Sequence, residues 1–138
     1  MQYFDASALV KRYVREDASV RVRRLLRSDT PATSRLSEVE ITSALERRAR
    51  EGAFSPAERD RALAALVSDF AALVVVELTA EVTAKARVLL QRHALRAGDA
   101  VQLASCLYLQ AQLGEPVTIV TFDERLLTAA RQEGLREP

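Results

Sequence analysis

The 138-residue chain has one cysteine, one histidine, two lysines and no tryptophan. Cys106 cannot form an internal disulfide. It lies in the apolar stretch AVQLASCLYLQAQL, so it reads as a small buried hydrophobe in a reduced, cytoplasmic setting. A single histidine excludes a two-histidine ribonuclease mechanism. His93 follows Leu89 and Leu90 at the expected end of a helix, where the partial negative charge of the helix terminus favours it. Three Tyr and four Phe are too few and too scattered to form a stacking platform for bases. There is no G-x-S-x-G for a serine hydrolase and no P-loop. No apolar run approaches the roughly 20 residues that span a membrane. The N-terminus has no basic segment followed by an apolar stretch, so no secretory signal is expected. Without repeats, low-complexity tracts or a long linker, residues 1–138 are expected to form one domain around one core.

Hydrophobic residues make up 49% of the chain, which places it among globular proteins. The net charge is +1, and eighteen of the twenty basic residues are Arg, the side chain suited to bidentate phosphate contacts. Residues 11–27 carry Lys11, Arg12, Arg15, Arg21, Arg23, Arg24 and Arg27 against only Glu16 and Asp17. Such a segment is either the solvated face of an amphipathic helix or a surface for a phosphate-rich partner, and composition alone does not choose.

Periodicity predicts strands separated by helices. A strand over 2–4 precedes helical patterns at 6–14 and 18–27, and PATS at 31–34 is a short second strand. A helix is expected from Ser37 to Arg50, stopping at Gly52. Ser55, Pro56 and Glu58 announce the next one with a cap, a first-turn proline and a capping box. LVVVEL at 73–78 is a β-branched strand, and Thr79 opens a helix whose Val82, Ala86, Leu89 and Leu90 keep the helical period. A helix from Asp99 to Leu113, the strand VTIVTF at 117–122 and a helix from Asp123 to Gln132 complete the chain, with a possible edge strand near Leu135. The alternation predicts an α/β/α sandwich: a parallel β-sheet flanked by helices on both faces.

Acidic residues recur where these strands hand over to helices. Asp5 follows strand 2–4, Glu40 lies in SRLSEVEITSAL after PATS, Asp99 follows Gly98, and Asp123 follows VTIVTF. Each has a structural explanation. Asp5, Asp99 and Asp123 suit helix N-caps, and Ser37-x-x-Glu40 is a capping-box pattern. Capping is served equally by Ser, Thr or Asn, however, and open α/β sheets place their sites beyond the carboxyl ends of strands. Four converging carboxylates would repel one another and spread their pKa values unless a cation filled the cluster. Hard oxygen donors without His or Cys suit Mg²⁺ or Mn²⁺.

At these residues the chain resembles the PIN-domain ribonucleases, most closely the VapC-type toxins of toxin–antitoxin pairs. YFDASALVKRYV resembles the family's opening strand, which implies that Asp5 is the first metal-binding acid and that Ser7 supports it by hydrogen bonding. SEVEITSALERR resembles the second acidic segment, with the acid at Glu40 rather than Glu38. LRAGDAVQLASCL matches the third at Asp99, and IVTFDERLLTAA the fourth at Asp123, with Thr121 in the place of a supporting hydroxyl. The resemblance implies a PIN-like fold and Mg²⁺- or Mn²⁺-dependent hydrolysis of RNA by Asp5, Glu40, Asp99 and Asp123. It also implies a homodimer and a small antitoxin partner. Removing these four negative charges from a chain of net charge +1 leaves the remainder at +5, a surface that can hold RNA around an acidic pocket. Arg12, Arg15, Arg21 and Arg24 become candidate RNA contacts, while Glu38, Glu46 and Glu51 read as solvated helix charges.

Two rival classes compete. A phosphoacceptor domain of the response-regulator type would pair a second acid with Asp5 and place a Lys after the last strand, and neither Lys11 nor Lys85 is so placed. A catalytically silent module that kept the fold for interaction is the other, and four intact acids argue against it.

Overall fold

A computed structural model of the chain describes residues 1–138. Its centre is a four-stranded parallel sheet of order β3-β2-β1-β4, formed by β1 (Gln2–Phe4), β2 (Pro31–Ser34), β3 (Val74–Val76) and β4 (Thr118–Val120). Tyr3 pairs with Ala32 on one side and Ile119 on the other, and Phe4 pairs with Val120. Because side chains alternate along a strand, this register splits the interior into two cores, one on each face of the sheet, where the sequence reading expected one. Tyr3, Ala32 and Ile119 join the larger core under α5 (Ala80–Arg92), α6 (Ala97–Leu113) and α7 (Glu124–Gln132). Phe4 and Val120 join the second core with α1 (Ala6–Leu9), α2 (Ser19–Ser28), α3 (Arg35–Arg50) and α4 (Pro56–Phe70). Helices therefore cover both faces of the sheet. The chain steps outward from β1 to β3, then crosses back to place β4 on the far side of β1. That reversal opens a crevice at the carboxyl ends of β1 and β4.

Several boundaries differ from the sequence reading. The first helical pattern stops at Leu9 and tightens into a 3₁₀ turn at Val10–Arg12, after which the chain bends into α2 through Ala18 in the left-handed region (φ 68°). The helix expected from Ser37 begins at Arg35, capped by Ser34, whose hydroxyl accepts from Leu36 N–H at 3.2 Å. Ser37 is thus buried inside the helix and no Ser37–Glu40 capping box exists. Likewise α6 starts at Ala97 with Arg96 at its cap position, so Asp99 lies in the first turn and is not the N-cap. The strand expected over 73–78 keeps only Val74–Val76 in the ladder, and that over 117–122 only Thr118–Val120. Near the C-terminus Leu135 is buried, but a full edge strand does not form. A single bridge joins Thr118 to Arg136, with Ile119 N–H donating to Arg136 C=O at 2.8 Å. The capping box of α4 forms in full, with Ser55 and Glu58 each accepting the other's backbone N–H. His93 occupies the C-cap of α5 and lies 2.7 Å through Nε2 from Glu133 Oε1, tying the end of α5 to the end of α7. Cys106 is fully buried, and burial pushes its thiol pKa up.

Candidate active site

Asp5 leaves β1 at the crevice with its backbone N–H still donating to Val120 C=O, so the sheet itself aims the side chain. The residue is 3% exposed. Its Oδ1 accepts Ala8 N–H at 2.9 Å, capping α1. The hydroxyl of Ser7 lies 2.8 and 2.9 Å from the two carboxylate oxygens, and that of Thr121 donates to Oδ2 at 2.9 Å. Capping and site geometry thus coincide at this residue. Thr121 and Ser7 also bind the strand exit opposite: Thr121 Oγ1 accepts Asp123 N–H at 3.1 Å and Ser7 Oγ accepts Phe122 N–H at 2.9 Å. One hydroxyl pair therefore links the ends of β1 and β4. Burial pushes the Asp5 carboxyl up to about 6, against the pull of the Ala8 N–H and the two hydroxyls.

The remaining acids reach the same pocket from three other segments. Asp123 follows β4 and caps α7, accepting Leu126 N–H at 2.9 Å. Asp99 comes from the first turn of α6, and Glu40 from the second turn of α3. Burial raises the Asp99 pKa and the Asp123 charge raises it further, with a hydrogen bond from the Arg96 backbone N–H and the charges of Arg96 and Arg125 pulling the other way. Burial likewise raises Glu40, where the Gln102 hydrogen bond lowers it and the Asp99 charge adds to the rise. All four acids line one open pocket of about 590 Å³, together with Ser7 and Gln102.

The donor set fits a hard divalent cation in kind: four carboxylates, no histidine and no cysteine, with Asp5, Glu40 and Asp99 disfavoured in their charged form by burial, and Glu40 and Asp99 also by a neighbouring acid. The carboxylates are not, however, drawn tightly together as the sequence reading expected. No three of them are gathered into a coordination set as they stand. The hydrogen bonds explain why: Asp5 faces Ser7, Thr121 and Ala8, Glu40 leans on Gln102, and Asp123 faces Leu126 N–H. Coordination by three or more requires some of these side chains to turn.

The basic residues at the pocket are not those singled out from residues 11–27. Arg47, Arg48 and Arg96 line it, whereas Arg12, Arg15, Arg21 and Arg24 do not. Arg12 pairs with Asp69 at 3.3 Å beside a separate groove on the α2 side that also takes in Arg23 and Arg27. Arg47 and Arg48 follow Glu40 by seven and eight residues, a helical repeat that was available to find them. Gln102 was missed too, and its only sequence signal is an amide within an apolar helical run. Neither lysine lines the pocket: Lys11 pairs with Glu16 at 3.0 Å and lies over the Phe122 ring.

Comparison with known proteins agrees with this architecture. The PIN domain profile matches residues 3–132. Ribonuclease VapC45 of Mycobacterium tuberculosis (strain CDC 1551 / Oshkosh) is 40% identical over 142 aligned positions, covering 97% of this chain and 92% of the relative. Ribonuclease VapC49 of Mycobacterium tuberculosis (strain ATCC 25618 / H37Rv) matches to the same extent. Among solved structures, Mycobacterium tuberculosis VapC20, described as a sarcin–ricin loop cleaving toxin, superposes with a TM-score of 0.74 at 20% identity, covering 100% of this chain and 98% of that one. A chain of a toxin–antitoxin complex from Klebsiella pneumoniae gives 0.59 at 15% identity, covering 88% and 97%. With a family match over nearly its whole length and 40%-identical VapC relatives, the chain belongs to the PIN-domain family, within its VapC group.

Proposed function

We propose that the protein is a metal-dependent endoribonuclease acting as the toxin of a toxin–antitoxin pair. The observation that carries this reading is the convergence of Asp5, Glu40, Asp99 and Asp123, from four separate segments, on one pocket at the carboxyl edge of the sheet. The two 40%-identical relatives named as ribonucleases support it. Mg²⁺, with Mn²⁺ as substitute, would be held most directly by Asp5 and Asp99, supplying charge neutralisation at the scissile phosphate and a more acidic water. Glu40 and Asp123 complete the acidic set, and one of them takes the proton of the attacking water as the phosphodiester bond breaks. Ser7 and Thr121 keep Asp5 aimed into the pocket through their hydroxyls. Arg47, Arg48 and Arg96 meet RNA phosphates at the rim, and a longer RNA reaches Arg12, Arg15, Arg21 and Arg24.

The Klebsiella neighbour's description as a toxin–antitoxin complex supports an antitoxin as partner, and the resemblance to the family is the ground for proposing a homodimer. No helix is long and apolar enough to cross a membrane. Incubation of the purified protein with a structured RNA pool, with Mg²⁺ or with EDTA, tests the reading. Internal cleavage that requires the ion is expected. Intact RNA at every Mg²⁺ and Mn²⁺ concentration, from folded protein, would refute it.

A further inference from the structure

Glu40 is held differently from the other acids. Asp5 and Asp123 are fixed by backbone N–H groups at helix starts, and Asp99 by its place in the first turn of α6. Glu40 has a longer side chain on an interior turn of α3, and its Oε2 accepts from Gln102 Nε2 at 2.6 Å. Its Oε1 rests against bare backbone, because a Cβ placed on Gly98 would lie 2.7 Å from that oxygen. Gly98 and Gln102 both belong to α6, the helix that carries Asp99.

Gln102 is 2% exposed, so each of its polar atoms needs a partner. Nε2 also donates to Ser37 Oγ at 2.9 Å, and Oε1 accepts the Tyr3 O–H at 2.7 Å. The orientation of the amide follows from chemistry. An ionised carboxylate only accepts, so Nε2 faces Glu40 and Oε1 is left for the phenol. Tyr3 is fully buried on β1, two residues before Asp5. A buried phenol and amide therefore tie the half-buried Glu40 carboxylate to the strand that carries Asp5 and to the helix that carries Asp99. Volume alone does not require it: an unbranched apolar side chain of similar length would fill the same space on α6, at the cost of leaving the buried Tyr3 O–H without its acceptor.

We infer that Gln102 is a positioning residue of this site: its amide, braced by the Tyr3 O–H, sets where the Glu40 carboxylate sits relative to Asp99. The inference rests on the reading of the pocket as a metal-dependent nuclease centre and names the device that arranges one of its acids.

The test uses Gln102→Met, Tyr3→Phe, Glu40→Gln and the double variant Gln102→Met/Glu40→Gln in the full chain. Supporting partners of this kind are worth about 10- to 100-fold in metal affinity or activity. Gln102→Met is expected to weaken Mn²⁺ binding by calorimetry at least about 10-fold and to lower kcat for RNA with KM little changed. Tyr3→Phe, which keeps the amide but loosens it, should fall between parent and Gln102→Met. In the Glu40→Gln background, Gln102→Met should cost Mn²⁺ binding nothing further, because the side chain it positions no longer carries the charge that holds the ion. Equal losses in both backgrounds would show that Gln102 serves the fold alone and would overturn the inference. A crystal structure of metal-free Gln102→Met gives a readout independent of ion and RNA: the Glu40 carboxylate should leave its place beside Gly98. An unmoved carboxylate refutes positioning whether or not the parent cleaves RNA, whereas a displaced carboxylate in a parent without cleavage defeats only the functional reading.

Discussion

Replacing Asp5 by Asn should make the metal-free protein more stable at neutral pH and no more stable in acid. Asp5 is 3% exposed, and burial lifts its pKa from 3.8 to about 6 even though a backbone N–H and two hydroxyls favour its charged form. Ionising it at pH 7 therefore costs the folded state. At about 1.4 kcal/mol for each tenfold change in acidity, that rise corresponds to about 3 kcal/mol. Below pH 3.8 the residue is protonated in both folded and unfolded chains, and no penalty applies. As pH climbs through about 6, the folded protein surrenders its proton against burial and the penalty is reached in full. Asn keeps a side-chain oxygen for Ala8 N–H and carries no charge, so it retains the cap and escapes the penalty. The variant should exceed the parent by about 3 kcal/mol at pH 7, about 10 °C in Tm for a chain of this length, with the gap closing towards pH 4. Urea denaturation of both proteins in EDTA at pH 7 and pH 4 measures this, and taking the difference between them cancels the other titrating groups. Equal stabilities at pH 7 would refute the picture of a buried carboxylate held against its own desolvation.

Three further outcomes follow from the geometry. Mn²⁺ should stabilise the parent by about 2.7 kcal/mol at a free concentration one hundred times Kd, read as a Tm increase that EDTA reverses; a Tm indifferent to millimolar Mn²⁺ would count against a metal site. Arg47→Ala and Arg96→Ala should each flatten the salt dependence of RNA binding by a slope of about 0.7, because both line the acidic pocket. Unchanged slopes there, with losses at Arg21→Ala and Arg24→Ala, would move the RNA path to the α2 face. Gly98→Ala places a methyl group 2.7 Å from Glu40 Oε1 and must push that flexible carboxylate aside. The variant should fold with unchanged or slightly greater stability, since Ala is the better helix former by up to about 1 kcal/mol, yet bind Mn²⁺ more weakly by calorimetry.

The layered fold was legible wherever local signals agree. The Ser55-Pro56-Glu58 start of α4 and the β-branched core of β3 are complete in a few residues, and both appear where the pattern places them. The start of α3 was misplaced because SRLSEVE offers two serines three apart, and local pattern favours the one with an acid behind it. Tertiary structure chooses Ser34 as the cap, since Ser37 is buried with its hydroxyl 2.8 Å from Thr33 and 2.9 Å from the Gln102 amide. The edge strand near Leu135 shrank to one bridge because only the immediate neighbourhood of Arg136 meets β4. At the site, the acids stood out because charge at the end of a core strand is conspicuous. Gln102 did not, because its role exists only once Tyr3, Ser37 and Glu40, up to 99 residues away along the chain, are brought around it. The arginines of the rim were overlooked in favour of the denser run at 11–27, because charge density is a local property and pocket membership is not.

Cleavage by Asp99→Asn, compared with the parent under saturating Mg²⁺, tests the central claim most directly. Asp99 is not the cap of its helix, and Asn there keeps a side-chain oxygen for the Arg96 backbone N–H while removing an anionic donor from the pocket. A folded variant whose RNA cleavage falls by at least about a hundredfold is the predicted result, the scale of losing a main electrostatic element of a catalytic site. A folded Asp99→Asn protein that cleaves RNA at the parental rate would contradict the account.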